Sequence, residues 1–233
     1  MKSALVALIF LVSGLAHAAP MDLCDPLSLT PDLLKTLTPA ERKCVWRRLK
    51  KMGHQVKTYE GYLIEFNDYG ANFDARLYYR QSLSDKGRRS GELKALAASG
   101  HRASKRDLEL WNGKMSGLKA IPGERVFISS ISDFEGRQLI RCDHLSSQVL
   151  RYSEWLDSKT GLILRVAGFD EKGQLFFARV YTQVRIGQAL GPVPRYNGSK
   201  LKALEQQLTQ LRLEKVEDAG AYVAAMKLED LTR

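Results

Sequence analysis

Apolar positions recur with a period of two through the middle of this chain and with a helical period towards both ends. The clearest stretch is 151–187, where three strand-like runs are joined by two short polar turns. The turns are Asp157-Ser158-Lys159-Thr160-Gly161 and Asp170-Glu171-Lys172-Gly173, and each closes on a Gly that can take positive φ at little steric cost. In the third run Phe176, Ala178, Val180, Thr182, Val184 and Ile186 fall on one face. Leu175, Phe177, Arg179, Tyr181, Gln183 and Arg185 fall on the other, increasingly polar face. Alternation of this kind predicts strands with one buried and one wetter side, here an antiparallel meander.

Upstream, residues 56–66 and 72–81 read as a hairpin around Asn67-Asp68-Tyr69-Gly70, with Tyr62, Ile64 and Phe66 on one face of its first arm. Residues 82–91 have loop composition. Residues 92–99 and 104–112 read as short helices, although Leu108, Leu110 and Trp111 also fit a strand. Strand patterning resumes over 124–132 and 136–143. Near the start, a short helix is expected over 31–37 and a longer one after Thr38-Pro39-Ala40-Glu41. That tetrad has a capping Thr, Pro at the first helical position and Glu three residues after the cap. The helix should run to about Met52 and stop at Gly53. Val45, Leu49 and Met52 lie near one stripe of it, while Arg42, Lys43, Arg47, Arg48, Lys50 and Lys51 cover much of the rest. Such a run is either a solvated face or a contact for an anionic surface. Gly191, Pro192, Pro194 and Gly198 should end the sheet; Leu201, Leu204, Leu208 and Leu211 then mark an amphipathic helix. Two heptads are too few for a coiled coil. A last helical piece is expected over 222–231, after Gly220.

The organisation expected is therefore α+β: a signal peptide at 1–18, a helical segment at 19–55, an antiparallel sheet domain at 56–190, and a Pro/Gly linker with a helical tail at 191–233. The signal reading rests on Lys2, an apolar stretch from Ala4 to Leu15, and Ala16-His17-Ala18 before the expected cleavage. That stretch is shorter than the roughly 20 residues a membrane span needs, so a soluble exported protein without a transmembrane anchor is expected. Export makes cysteines readable as disulfides. Cys24 and Cys44 bracket the first helical region and are expected to bond, a closure typically stabilising by ~3 kcal/mol, with Cys142 left as a buried thiol.

The chain carries 36 Lys and Arg against 26 Asp and Glu, a formal charge of +10. In the cytoplasm that balance would point to nucleic acid; in an exported protein the candidate anions are lipid head groups, other envelope polyanions or an acidic partner protein, and no nucleic acid is expected. Candidate chemistry is sparse. Cys142 and His144 project from one face of a strand and could join a metal site or a nucleophile–base pair. No second ligand pair and no third member of a catalytic set accompanies them. Phosphate-binding glycine loops, zinc-protease helices and nucleophile elbows are absent from the sequence. No cofactor, metal or catalytic residue is assigned, and a Cys/His-dependent enzyme is the distant alternative.

The run Trp155-Leu156-Asp157-Ser158-Lys159-Thr160-Gly161-Leu162-Ile163-Leu164-Arg165, followed by Phe169-Asp170-Glu171-Lys172-Gly173-Gln174, resembles the LolA/RseB-type periplasmic proteins. It is most similar to the amino-terminal domain of RseB/MucB, and Tyr59-Glu60-Gly61-Tyr62 resembles the opening strand of that domain. The likeness covers about 56–186. It implies a strongly curved antiparallel half-barrel with packed helices, and a periplasmic role in handling or sensing acyl chains or lipoproteins. On that implication Tyr62, Ile64, Phe66, Phe176, Val180 and Val184 would line an apolar site for a lipid acyl chain or lipoprotein. The alternative is an envelope protein-interaction module whose apolar face is filled by its own helices.

Overall fold

The computed structural model describes residues 22–56, 58–68, 73–85, 88–98, 125–189 and 195–210, together with Leu228. The signal segment, the turn at Tyr69-Gly70, the expected helix over 104–112 and the linker at 191–194 lie outside those residues. So does the last helical piece, apart from Leu228.

A 3-10 turn, Pro26–Ser28, leads into α1, Pro31–Thr36, and α2, Pro39–Gln55. Both helices begin where their caps dictate. Thr30 accepts a hydrogen bond from the Leu33 amide, and Thr38 forms a full capping box with Glu41. The Thr38 amide donates to the Glu41 carboxylate at 2.7 Å and the Glu41 amide donates to the Thr38 hydroxyl at 3.3 Å. The helix does not stop at Gly53; it continues to Gln55 and is capped by Val56. Gly53 has a different task. A Cβ there would meet the Gly161 carbonyl oxygen at 2.3 Å, so α2 presses its backbone onto the turn after Asp157.

Eight strands follow: β1 Thr58–Asp68, β2 Phe73–Asp85, β3 Arg88–Ala98, β4 Arg125–Phe134, β5 Arg137–Ser146, β6 Val149–Asp157, β7 Ile163–Phe169 and β8 Leu175–Ile186. They form one antiparallel sheet in the order β3-β2-β1-β8-β7-β6-β5-β4. The expected loop over 82–91 and helix over 92–99 are replaced by the end of β2 and by β3. Residues Glu92-Leu93-Lys94-Ala95 have helical propensity, but pairing with β2 from Arg76↔Ala98 to Asp85↔Arg88 overrides it. A three-strand and a five-strand meander thus meet where β1 pairs with β8, with Tyr62 opposite Thr182, Ile64 opposite Val180 and Phe66 opposite Ala178.

The sheet curls. In a flat sheet β5 and β8, three strands apart, would be about 14 Å from each other. Yet Arg137 at the start of β5 donates through Nη2 to the Val184 carbonyl at 2.9 Å. The Glu135 carboxylate, in the β4–β5 turn, accepts from the Gln183 amide at 2.7 Å and from the Thr182 hydroxyl. Arg165 of β7 lies over the Phe134 ring of β4 at 4.4 Å. The sheet therefore bends towards the face that carries Ile64, Val180 and Trp155. The fold is an α+β antiparallel half-barrel, not closed into a barrel.

Two cores follow from this bend. The concave one gathers Tyr62, Ile64, Phe66, Phe134, Leu139 and Trp155 with Ala178 and Val180, joined by Leu204 and Leu228. The convex one packs Ile128, Ile140, Cys142 and Leu156 against Leu29, Leu34, Leu37, Val45 and Leu49 from α1, α2 and the turn before them. A disulfide joins Cys24 to Cys44, and Cys142 is a buried thiol. Helix α3, Gly198–Gln210, lies against β2 and β3.

The single unbroken alternation expected along 176–186 is interrupted. Thr182 pairs with Tyr62 but Arg185 pairs with Glu60, so β8 bulges at Gln183, whose φ is +52°. Past the bulge Arg185 takes the face of Val180, and Ile186, opposite Tyr59, moves to the other side.

Candidate functional site

The concave face is the candidate binding face. The bulge carries Val184, expected in the lining, to the opposite face against Gly61, whereas Tyr62, Ile64 and Phe66 on β1 and Val180 on β8 are buried on the concave side, Ile64 and Phe66 completely. The pairing of β1 with β8 brings them side by side, and β7 and β6 extend the wall through Ala167 and Trp155. Phe176 stands apart. Its pairing partner is skipped between Gly168↔Phe177 and Phe169↔Leu175, which leaves its side chain 45% exposed with its ring over Gly168. It belongs to the rim, not the lining. Phe134, Leu139 and Trp155, which also line this face, are not marked as a site by the alternation within their own strands; only the curl brings them opposite β1.

Polar groups brace the rim. Asp157, almost fully buried, accepts from Arg137 Nη1 at 2.9 Å, from the Thr160 hydroxyl at 2.8 Å and from the Lys159 amide at 3.0 Å. One carboxylate thereby fixes the Asp157–Gly161 turn and the start of β5. Glu60 pairs with Arg185 beside Tyr62, whereas Glu65 pairs with Arg179 at 2.7 Å on the opposite face of the β1–β8 pair. Arg141 lies over the Trp155 ring at 5.0 Å and donates to Asp143 at 2.7 Å, so a cation caps one end of the apolar wall.

Behind the sheet, under α2, lies the Cys142 and His144 pair. Glu154, diagonal to His144 across the β5–β6 pair, completes a buried cluster. His144 Nε2 is 2.9 Å from Glu154 Oε1, and Lys50 Nζ reaches Glu154 Oε2 at 3.2 Å. The imidazole stacks on Tyr152 at 3.9 Å between centroids and meets the edge of Trp46 at 6.3 Å. Burial raises the Glu154 pKa, but the hydrogen bond from His144 and the charge of Lys50 outweigh it and hold the carboxyl below its usual range. Burial pushes the Cys142 thiol well up, helped by the Glu154 charge, so Cys142 is not a thiolate at neutral pH. With Cys142 at 0% and His144 at 2% exposure, this arrangement offers no nucleophile to a substrate. Its geometry is that of a brace between α2 and the sheet. Among the described residues no group of three His, Cys, Asp or Glu is placed to hold a metal ion.

The basic helix divides in two. Arg42 turns inward and donates to the carbonyls of Leu34, Leu37 and Ile128, at 2.9, 3.2 and 2.9 Å. Lys50 is committed to Glu154, and Arg48 pairs with Asp22. Arg42 and Lys50 are corrected from surface contacts to internal partners, because α2 docks through the flank that carries them, whereas Arg48 stays exposed in a surface ion pair. Lys43, Arg47 and Lys51 remain on the exposed face. Among the described residues no helix is long and apolar enough to cross a membrane. A separate cleft of about 350 Å³, lined by Arg125, Phe127, Leu145, Ser147 and Gln148, opens at the end of the β5–β6 hairpin.

No family model matches this chain, and no curated protein matches it. Solved structures of similar fold exist. One is MucB, 21% identical, covering 75% of this chain and 64% of that chain with a TM-score of 0.44. A second is the Pseudomonas aeruginosa MucA/MucB complex, 19% identical, covering 74% of this chain and 62% of that chain with a TM-score of 0.39. A third is a LolA superfamily protein from Nitrosomonas europaea, 5% identical, covering 62% of this chain and 94% of that chain with a TM-score of 0.26. This chain thus spans less than two thirds of the MucB chains it matches, and its likeness to all three is a likeness of fold.

Proposed function

We propose that this chain is a non-catalytic binding protein of the cell envelope whose concave face takes an acyl chain of a lipid or lipoprotein. The observation that carries the reading is the cover of that face. The wall of Tyr62, Ile64, Phe66, Val180 and Trp155 belongs to the sheet, whereas Leu204 and Leu228 come from the segment after it. The Tyr62 hydroxyl reaches the Leu228 carbonyl at 3.5 Å, a long hydrogen bond. An acyl chain gains about 0.8 kcal/mol per buried CH₂, so a modest chain can replace two leucines. The signal-like residues 1–18 and the Cys24–Cys44 bond support an exported protein in an oxidising compartment, the periplasm.

The second reading, an envelope protein-interaction module with a self-filled sheet, is favoured by the complete burial of Ile64 and Phe66. One experiment separates them. Native mass spectrometry of protein purified from the periplasm, with uptake of a fluorescent fatty acid, should show bound lipid. Uptake should rise in Leu204→Ala/Leu228→Ala. A folded double variant that is lipid-free and refuses the probe would leave the interaction module in front.

A further inference from the structure

The exposed face of α2 is a cationic stripe with a single orientation. Lys43, Arg47 and Lys51 follow one another at four-residue spacing, over about 12 Å of helix. They lie opposite Val45, Leu49 and Gly53, which the helix buries against the sheet. The one acid within α2, Glu41, is occupied by its capping box, and Asp22 beside the helix is occupied by Arg48. Among the described residues, Lys43, Arg47 and Lys51 form no ion pair. The stripe also has an apolar neighbour. The Pro26–Ser28 turn lies on α2, tied down by the Cys24–Cys44 bond, and presents Leu27 at 57% exposure.

We propose that this face docks the protein on an anionic lipid surface, with Lys43, Arg47 and Lys51 on the head groups and Leu27 at the acyl boundary. A straight row of long cations with one apolar side chain at its flank matches what a membrane interface offers: negative potential in a plane and hydrocarbon just beneath. The row is convex and follows a single helix, so it meets a plane more readily than it grips an extended acidic peptide. The inward turn of Arg42 and Lys50 sharpens the geometry, because the charge is confined to one side. The buried brace of Lys50, Glu154 and His144 holds the helix to the sheet, so docking would fix the orientation of the whole half-barrel.

The test is co-sedimentation of the full mature chain with vesicles of phosphatidylcholine, with and without 30% phosphatidylglycerol, at low and physiological salt. Binding is expected on the anionic vesicles, weakening with salt. Lys43→Glu/Arg47→Glu/Lys51→Glu should lower it by about a hundredfold or more. All three side chains are exposed, so the variant should fold, as circular dichroism would verify. Leu27→Asp should weaken binding several-fold with little change in the salt dependence. A control of equal charge, Lys159→Glu/Lys172→Glu/Arg195→Glu, should bind nearly as the parent does. Equal losses in both triple variants would assign the effect to net charge and overturn the proposal, as would absence of binding at low salt. Fatty-acid uptake measured without vesicles stays independent of this result, so failure of docking and failure of acyl binding are read separately.

Discussion

The two faces of the sheet are closed by different physics. On the convex face the cover is tied to the sheet by the Arg42 bond to the Ile128 carbonyl, the Lys50–Glu154–His144 cluster and the contact between Gly53 and Gly161, and it is stiffened internally by a disulfide and a capping box. On the concave face Leu204 and Leu228 pack on the wall, and the Tyr62 hydroxyl reaches the Leu228 carbonyl. A cover held by covalent and backbone geometry cannot be exchanged without unfolding. A cover held by apolar contact can be exchanged for any chain of equal hydrophobicity. On the proposed function, exchange belongs to the concave side and stability to the convex one.

The largest expected effect breaks the convex lock at its tightest point. Gly161 sits at φ +69°, and a Cβ there would meet the Leu49 carbonyl oxygen at 2.0 Å. Gly161→Ala should therefore combine left-handed backbone strain with a clash against helix backbone, costing about 4 kcal/mol in chemical denaturation. A loss below about 1 kcal/mol would mean that α2 is free to shift and that the convex cover is no lock. Next comes the disulfide. Cys24→Ser/Cys44→Ser opens a closure with a sequence separation of 20 and should cost about 3 kcal/mol. In either background Cys142 should resist thiol reagents until the protein unfolds, because it is fully buried.

A matched pair of truncations then compares the two covers directly. Leu49→Ala, on the convex side, should cost about 3 kcal/mol, the usual scale for a fully buried leucine. Leu204→Ala, 7% exposed on α3, should cost about 1 kcal/mol because its surroundings can close up. Equal losses would show that the concave cover is as integral to the fold as the convex one.

Much of this was legible in the sequence. Thr38, Pro39 and Glu41 announce α2 through local hydrogen bonding, and the Asp157–Gly161 and Asp170–Gly173 turns announce the last meander through residues suited to them. The turn between β5 and β6 was not legible. It runs through Ser147 and Gln148, both at positive φ, without the Gly or Asn that signals such turns. Strand β3 was hidden because Leu93, Ala95 and Ala97 suit a helix as well as a strand, and only the partner strand decides. The roles within the basic run were hidden for a related reason. Helical spacing separates Arg42 from Lys43, but it does not say which flank meets a sheet far away in sequence. The concave set of Phe134, Leu139 and Trp155 needs the curl itself, which no local pattern carries.

The smallest expected effect is a pH dependence confined to the convex side. Glu154 faces Lys50 from α2 and His144, Cys142 and Tyr152 from the sheet, and its folded pKa lies below the ordinary 4.5. The sign follows by linkage. As pH falls, the unfolded chain takes up this proton first, so the contribution of Glu154 is fully present above about pH 4.5 and is lost as pH falls through the folded value. Glu154→Gln should flatten that acid limb while leaving the neutral-pH fold intact, with a difference from the parent of about 1 kcal/mol near pH 6. Two tryptophans can report the faces separately: Trp46 lies beside His144, and Trp155 lies in the concave wall. In single-tryptophan variants titrated from pH 6 to pH 3, Trp46 emission should shift at higher pH than Trp155 emission, and Glu154→Gln should remove the lead. Simultaneous shifts in the parent would mean that the two faces unfold as one unit, and the contrast between a locked and an exchangeable cover would then have to rest on ligand uptake alone.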